Sequence, residues 1–86
     1  MAEKKVIVLN ETGLHARPAA ALVQFVKSIP GEVELEKEGK VANAKSIFSV
    51  MSLGISKNTE VIVRVTGEGE EENVDKVVEF ISNLTD

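Results

Sequence analysis

The spacing of apolar and polar residues predicts four strands in this chain. Val6 to Leu9 form a largely β-branched run that ends at a turn-prone segment, as strands commonly do. Glu32 to Glu36 alternate between acidic and apolar residues, which is typical of a half-buried strand. Glu38-Gly39 then favours a tight turn into a short strand from Lys40 to Asn43. Glu60 to Val65 are mostly apolar, so this strand is expected in the middle of the sheet.

Three other segments have the features of helices. The first runs from Ala16 to about Lys27, and Pro18 is tolerated because it lies in the first turn; its apolar stripe consists of Ala19, Ala20, Val23 and Val26. Ser46 is placed to be the N-cap of a short helix through Leu53, with Gly54 as its end. The last helix begins with three glutamates, which the helix dipole favours there. Its apolar face consists of Val74, Val77, Val78, Ile81 and Leu84.

The resulting order of elements, β-α-β-β-α-β-α, predicts an α+β fold. A four-stranded, mainly antiparallel sheet with three helices on one face would bury all the apolar stripes. With 86 residues the chain has room for a single domain, residues 1–86. Hydrophobic residues make up 43% of the sequence, which is enough for the compact core that this fold requires.

Composition excludes several kinds of site. The absence of cysteine rules out disulfides and thiolate ligands, and a single histidine makes a zinc site unexpected. We expect no metal and no organic cofactor. No apolar run approaches the ~20 residues of a membrane span, and the N-terminal residues lack a signal-peptide pattern. We therefore expect a cytoplasmic protein that does not insert into membranes.

The charges are unevenly distributed along the chain. A net charge of −4 argues against a general nucleic-acid-binding protein. The acidic residues avoid two stretches, Thr12 to Gly31 and Gly39 to Thr59, although both contain basic residues. This pattern has two interpretations. It is either chance with a few solvated lysines, or one basic face that attracts an acidic partner or a phosphorylated group.

The only histidine, His15, lies where a loop becomes a helix. The first N–H groups of a helix have no internal partners, so those of Ala16 and Arg17 are available to an anion. The Arg17 guanidinium adds a planar pair of donors suited to phosphate oxygens, and Gly13 allows the loop to turn into the helix. If the anion is a phosphoryl group, the neutral imidazole can bind it covalently through nitrogen.

Two motifs then point to a family. Residues 13–19, Gly-Leu-His-Ala-Arg-Pro-Ala, and residues 44–54, Ala-Lys-Ser-Ile-Phe-Ser-Val-Met-Ser-Leu-Gly, resemble those of HPr. HPr is the histidine-containing phosphocarrier of the bacterial phosphoenolpyruvate:sugar phosphotransferase system. Length and element order are similar from end to end. The resemblance implies an open-faced β-sandwich with four strands and three helices.

The resemblance also implies roles for individual residues. His15 would take phosphoryl on Nδ1 from phosphorylated enzyme I and pass it to the IIA domains of sugar permeases. Arg17 would assist the transfer by neutralising charge. The protein would then be a covalent carrier acted on by enzymes rather than an enzyme, and we expect it to be a monomer.

Ser46 has two interpretations. As an N-cap its hydroxyl accepts a backbone N–H bond, which stabilises a helix by ~1 kcal/mol. The functional alternative, implied by the resemblance, is a regulatory phosphosite for an HPr kinase/phosphorylase, whose product binds a regulator of carbon catabolism. Residues 50–54 resemble the Gram-positive form of the motif, whereas Phe48 resembles the enteric form, which lacks that kinase.

The helix after Ser46 has an apolar cluster of Ile47, Phe48 and Met51, which is either core or interface. The resemblance implies that it forms a docking surface together with the helix after His15. The residues expected on the first helix are Ala16, Ala20, Gln24 and Lys27. The expected basic rim consists of Arg17, Lys27, Lys45 and Lys40.

Three other functions are alternatives for a chain of this kind. An HPr-like paralogue in a regulatory, nitrogen-related phosphorelay would have the same site and differ in its partners. An RNA-binding domain can have a similar element order, but the acidic balance and the lack of strand aromatics argue against it. A hydrolase using His15 as a general base would need a second catalytic group, and none is evident near the motif.

Overall fold

The computed structural model describes residues 1–85 and contains the predicted elements in the predicted order. The elements are β1 (Ala2–Ile7), α1 (Ala16–Val26), β2 (Glu32–Lys37), β3 (Lys40–Asn43), α2 (Ile47–Ser52), β4 (Glu60–Thr66) and α3 (Glu70–Ser82). The α+β fold with a four-stranded antiparallel sheet and three helices is thereby confirmed.

The sheet has the strand order β1-β4-β2-β3, and each neighbouring pair is antiparallel. The apolar strand β4 is central, as its composition predicts, because it pairs with both β1 and β2. Val61 lies opposite Val6, and Val63 lies opposite Leu35. These residues are buried on the face of the sheet that the helices cover. Register therefore follows from the alternation along each strand.

The helices bury the stripes that their spacing predicts, with two adjustments. In α1 the buried residues include Leu22, whereas Ala20, expected on the stripe, is only half-buried at its edge. In α3 the buried residues are Val74, Val77 and Ile81. Leu84 lies beyond the end of α3 and packs half-buried against the core.

The first strand begins and ends earlier than predicted. The apolar pattern predicts Val6 to Leu9, but β1 covers Ala2–Ile7, and Leu9 is exposed outside it. The charged residues before Val6 join the strand because ion pairs accommodate them. Lys4 pairs with Asp75 of α3, and Glu3 accepts a hydrogen bond from Arg64 of β4 at 2.7 Å. A pattern of apolar residues alone does not detect this kind of edge strand.

The sheet face opposite the helices is open and lined with charged side chains. Arg64 lies in the middle of it and donates to Glu3 at 2.7 Å and to Glu36 at 2.5 Å, joining three strands. Within the described residues, no helix has the length and apolar character needed to cross a membrane.

Candidate functional site

His15 is the N-cap residue of α1. Its backbone is extended, with φ −124° and ψ 153°, and its side chain makes no capping hydrogen bond to the helix. The imidazole is exposed to solvent. The side chain of an N-cap residue commonly accepts a hydrogen bond from the first N–H groups of the helix. His15 makes no such bond, so its imidazole and these N–H groups are both available to a ligand. His15 therefore has the access that a nucleophile requires.

The two residues that follow His15 contribute to the site in different ways, Ala16 through its backbone and Arg17 through its charge. Ala16 has φ +43°, a left-handed conformation that is strained for a residue with a side chain. The Arg17 side chain is exposed and forms no ion pair with any of residues 1–85. With the positive end of α1, this guanidinium makes the surface around His15 favourable for an anion.

A close contact between two loops supports the residues just before His15. The Leu14 N–H donates to the carbonyl oxygen of Ile55 at 3.0 Å. Gly13 lies so near that a Cβ there would be 2.3 Å from the Ile55 oxygen, and its φ is +65°. The Asn10 side-chain amide donates to the Gly13 oxygen at 2.8 Å. These two hydrogen bonds hold the loop in place. Glycine is required at position 13 because a side chain would clash there and because the φ is positive.

Ser46 is the N-cap of α2, as predicted. Its hydroxyl oxygen accepts a hydrogen bond from the Ser49 N–H at 3.4 Å, a long contact for such a bond. The Val50 N–H donates to the Ser46 carbonyl at 3.0 Å, and the Ser46 side chain is half-buried. The structure thus confirms the capping role, while the phosphosite stays a prediction.

The residues expected to meet partners lie on α1 and α2, which pack against each other. On α2, Phe48 is 85% exposed, although phenylalanine is normally buried, and Ile47 and Met51 are half-buried. On α1 the four expected residues share one face through three- and four-residue spacing. We call these seven residues the docking face: Ala16, Ala20, Gln24, Lys27, Ile47, Phe48 and Met51.

The expected basic rim is smaller than the sequence suggests. The Lys45 ammonium donates to the carbonyl oxygens of Ile29 and Gly31, each at 2.8 Å, so Lys45 is half-buried and tied to the backbone. Lys57, in the second acid-free stretch, pairs with Glu11 at 2.7 Å. Glu11 lies one position outside the first acid-free stretch, so counting charges along the chain does not predict this pair.

Two residues near the site were missed by sequence reasoning. Ile55 is an apolar residue shortly after a helix, and nothing in the neighbouring sequence predicts its contact with Leu14. Lys37 did carry a signal. It follows Val33 and Leu35 on the inward-facing positions of β2, where a lysine needs partners for its charge. Those partners are carbonyl oxygens at the end of α2.

Residues 2–83 match the family model "PTS HPr component phosphorylation site". The chain therefore belongs to the HPr family of phosphocarrier proteins of the phosphotransferase system. Members of this family are phosphocarriers rather than enzymes. Among residues 1–85, no group of three or more His, Cys, Asp or Glu side chains could hold a metal ion.

Three relatives illustrate the similarity. The HPr-like protein Crh of Bacillus subtilis is 46% identical over 81 residues, covering 94% of this chain and 95% of Crh. A structure of HPr-C-His from Thermoanaerobacter tengcongensis has a TM-score of 0.89 and 42% identity, covering 94% of this chain and 91% of that one. The phosphocarrier protein HPr of Bacillus anthracis has a TM-score of 0.88 and 35% identity, with coverage of 92% and 94%.

Two of these relatives also form dimers. Crh has been solved as a dimer with a swapped domain, at a TM-score of 0.75 to this chain. The Thermoanaerobacter tengcongensis HPr has been solved as a dimer at a TM-score of 0.72. These dimers do not favour the monomer expected from the sequence.

Proposed function

We propose that this chain carries a phosphoryl group on His15 between proteins of the sugar phosphotransferase system. Phosphorylated enzyme I donates the group, and IIA domains of sugar permeases accept it. One observation carries the proposal. His15 is an exposed imidazole, unused by its own helix, in a chain whose family model describes a phosphorylation site. Because the proposed partners work in the cytoplasm, we propose the same location for this chain.

The transfer needs a neutral imidazole with its proton on Nε2. The lone pair of Nδ1 attacks phosphorus, and the P–N bond forms as the bond from phosphorus to the donor breaks, with the electron pair leaving on the donor. In the second transfer the acceptor attacks the same phosphorus, and His15 leaves with the electron pair of the P–N bond. The imidazole is thereby restored for another cycle.

The surroundings of His15 favour the phosphorylated state. A phosphoryl group brings up to two negative charges to the N-terminus of α1, where the first backbone N–H groups of a helix have no partner within it. The Arg17 guanidinium is not engaged with a carboxylate among residues 1–85, so it is available to the phosphoryl oxygens. These groups stabilise the charge without holding phosphorus covalently, which suits a carrier that must release it.

The docking face gives the carrier a surface for its partners. Phe48 presents an apolar side chain that is almost fully exposed, and Arg17, Lys27 and Lys40, the exposed members of the expected rim, carry positive charge. An apolar centre with a charged rim is typical of interfaces that form and dissociate readily. We propose that enzyme I and IIA domains bind here in turn, so Phe48→Ala should weaken both encounters.

The test is direct phosphorylation. The chain is mixed with enzyme I, magnesium and phosphoenolpyruvate, and the product is examined by intact-mass spectrometry and by its stability to acid and base. We expect an acid-labile, base-stable phosphoryl group that is absent from His15→Ala and present in the matched control Ser46→Ala. An unmodified wild-type chain, or equal labelling of His15→Ala, would refute the proposal.

A second candidate function uses Ser46. The 46% identity to the HPr-like protein Crh, a protein of catabolite repression, favours a regulatory role beside or instead of the carrier role. The Ser46 hydroxyl oxygen accepts one long hydrogen bond, from the Ser49 N–H. Phosphorylation of the hydroxyl would therefore cost the fold little stability. A phosphate at this helix start would place negative charge beside the docking face.

The kinase test separates the two candidates. Incubation with an HPr kinase/phosphorylase and ATP should add one phosphate to the wild type and to Ser49→Ala, but none to Ser46→Ala. Labelling by the kinase without labelling by enzyme I would support a regulatory protein. Labelling by enzyme I alone would support a carrier without this regulation.

A further inference from the structure

The Lys37 ammonium bridges two carbonyl oxygens at the end of α2. Lys37 is the last residue of β2, and its Nζ donates to Leu53 O at 3.2 Å and to Gly54 O at 2.9 Å. The side chain is half-buried and forms no ion pair with the described residues. A cation at a helix C-terminus is favoured by the helix dipole, and it satisfies carbonyls that lack helical partners.

These carbonyls are close in the chain to the support of the His15 loop. Gly54 is followed by Ile55, whose own carbonyl oxygen accepts the Leu14 N–H bond. Ile55 is buried, with 3% of the residue exposed, so its peptide has little room to shift. A displacement of Gly54 would therefore be passed to Ile55 and then to Leu14, the residue before His15.

The space between the two loops makes this coupling tight. Cβ of any residue replacing Gly13 would also fall 2.7 Å from Ser56 Cα, so the Gly13 and Ile55–Ser56 backbones are in direct contact. Packed backbones of this kind move together, because no flexible side chain lies between them to absorb a shift. Lys37 thus acts on the loop through Ile55, whereas Asn10 acts on it through the Gly13 oxygen.

We propose that Lys37 is a positioning residue for His15. By fixing Leu53 and Gly54, its ammonium holds Ile55 in the place where it fixes Leu14, and so orients the imidazole at the start of α1. The kinetic part of this inference rests on the proposed carrier function. The structural part, control of the Leu14 hydrogen bond by Lys37, does not depend on it.

The structural part is tested by amide hydrogen exchange measured with NMR. Lys37→Met removes the charge and keeps a similar length, and the matched control is Lys76→Met, an exposed lysine on α3 outside the docking face and its rim. We expect Leu14 N–H exchange to rise about tenfold or more in Lys37→Met, as expected from loss of a charge-assisted bond. Exchange of the Val63 N–H in the central strand reports global unfolding. Lys37→Arg, which keeps the charge and can bridge two oxygens, should restore slow exchange at Leu14.

The kinetic part is measured as phosphorylation of the same variants by enzyme I. Lys37→Met should lower kcat about tenfold, as expected for misplacement of a reacting group, with little change in KM because the docking face is intact. Lys37→Arg should recover most of kcat, and the control Lys76→Met should behave as wild type. If Lys37→Met folds poorly, Lys37→Gln, which keeps an N–H donor, takes its place.

Several outcomes would overturn the inference. Unchanged Leu14 exchange in Lys37→Met would do so, and so would an equal rise at Leu14 and Val63, because that pattern reports only global stability. A change in KM alone would place Lys37 in partner binding instead. If the wild type is not phosphorylated at all, the carrier function fails, while Leu14 exchange still decides whether Lys37 holds the loop.

Discussion

Phe25 of α1 and Phe80 of α3 stack with ring centroids 4.4 Å apart and an angle of 6° between the ring planes. Both rings are half-buried and pack against the core from outside. The stack joins the helix that begins at His15 to the last helix of the chain, so it anchors α1 at the end remote from the site. Stacked aromatic pairs stabilise proteins beyond the area that they bury.

A double-mutant cycle should reveal this pairing. Phe25→Leu, Phe80→Leu and the double variant are compared by urea unfolding, and we expect a coupling free energy of about 0.5–1.5 kcal/mol. Phosphorylation of His15 should change little in the single variants, because the rings lie away from it. A coupling within error of zero would show that the two rings contribute only through the area they bury.

Gly13→Ala should be strongly destabilising. The new Cβ would be 2.3 Å from the Ile55 oxygen at a residue with φ +65°, so both the clash and the backbone strain oppose it. We expect a loss of about 2–4 kcal/mol in the free energy of unfolding. The matched control is Gly39→Ala, where φ is +83° but no atom lies within 4 Å, so strain alone should cost about 1 kcal/mol. Equal losses in the two variants would show that the loop can move away from Ile55.

Lys45→Met should destabilise the fold more than an exposed lysine does. The substitution removes the donor to the Ile29 and Gly31 oxygens, and we expect a loss of about 1–2 kcal/mol in the free energy of unfolding. Lys27→Met, the control on the docking face, should change stability by less than about 0.5 kcal/mol. Urea unfolding of the three proteins measures the difference. A loss no larger than that of Lys27→Met would mean that the two bonds are exchanged for water without cost.

The Glu70 carboxylate should make the stability of the fold decrease at acidic pH. A hydrogen bond from the N-terminal ammonium of Met1, and then one from the Gly67 N–H, holds the pKa of Glu70 below its ordinary value of 4.5. A lowered pKa gives stabilisation that is present above pH 4.5, the value in the unfolded chain. This stabilisation is lost as the pH falls from there through the lower value in the folded protein.

The measurement is the urea midpoint as a function of pH. Glu70→Gln should lose stability at neutral pH and show a smaller decline than wild type below pH 4.5, because the titrating group is gone. Glu71→Gln, at the next position of the same helix and exposed, is the control and should follow the wild-type curve. Parallel curves for wild type and Glu70→Gln would contradict the assignment.

Much of the fold could be predicted because local patterns and tertiary packing agree. The alternation in β2, the glutamates at the start of α3 and the cap at Ser46 each depend on residues close in sequence. The start of β1 could not be predicted in this way. Its charged residues are stabilised by Asp75 and Arg64, which are distant in the chain and belong to elements packed beside it.

The candidate site shows the same division. His15 and Arg17 are visible in the sequence because they share one motif at a helix start. The restraint on Leu14 is not visible, because it depends on where Ile55 is placed by folding. Charge counting likewise overestimated the basic rim, since it treats Lys45 as solvated when its ammonium is bound to backbone oxygens. A contact between a side chain and a backbone atom distant in the chain produces no periodic pattern in the sequence from which it could be predicted.

The central position of β4 has a consequence for synthesis of the protein. β1, α1, β2, β3 and α2 all leave the ribosome before the strand with which both β1 and β2 must pair. Until then, the β2–β3 hairpin is the only pair of the described strands whose two members have both been made. Non-local pairing of this kind delays folding. The nascent chain should therefore expose its apolar strands until Glu60–Thr66 emerge, and the core is completed only when α3 follows and covers β1 and β4.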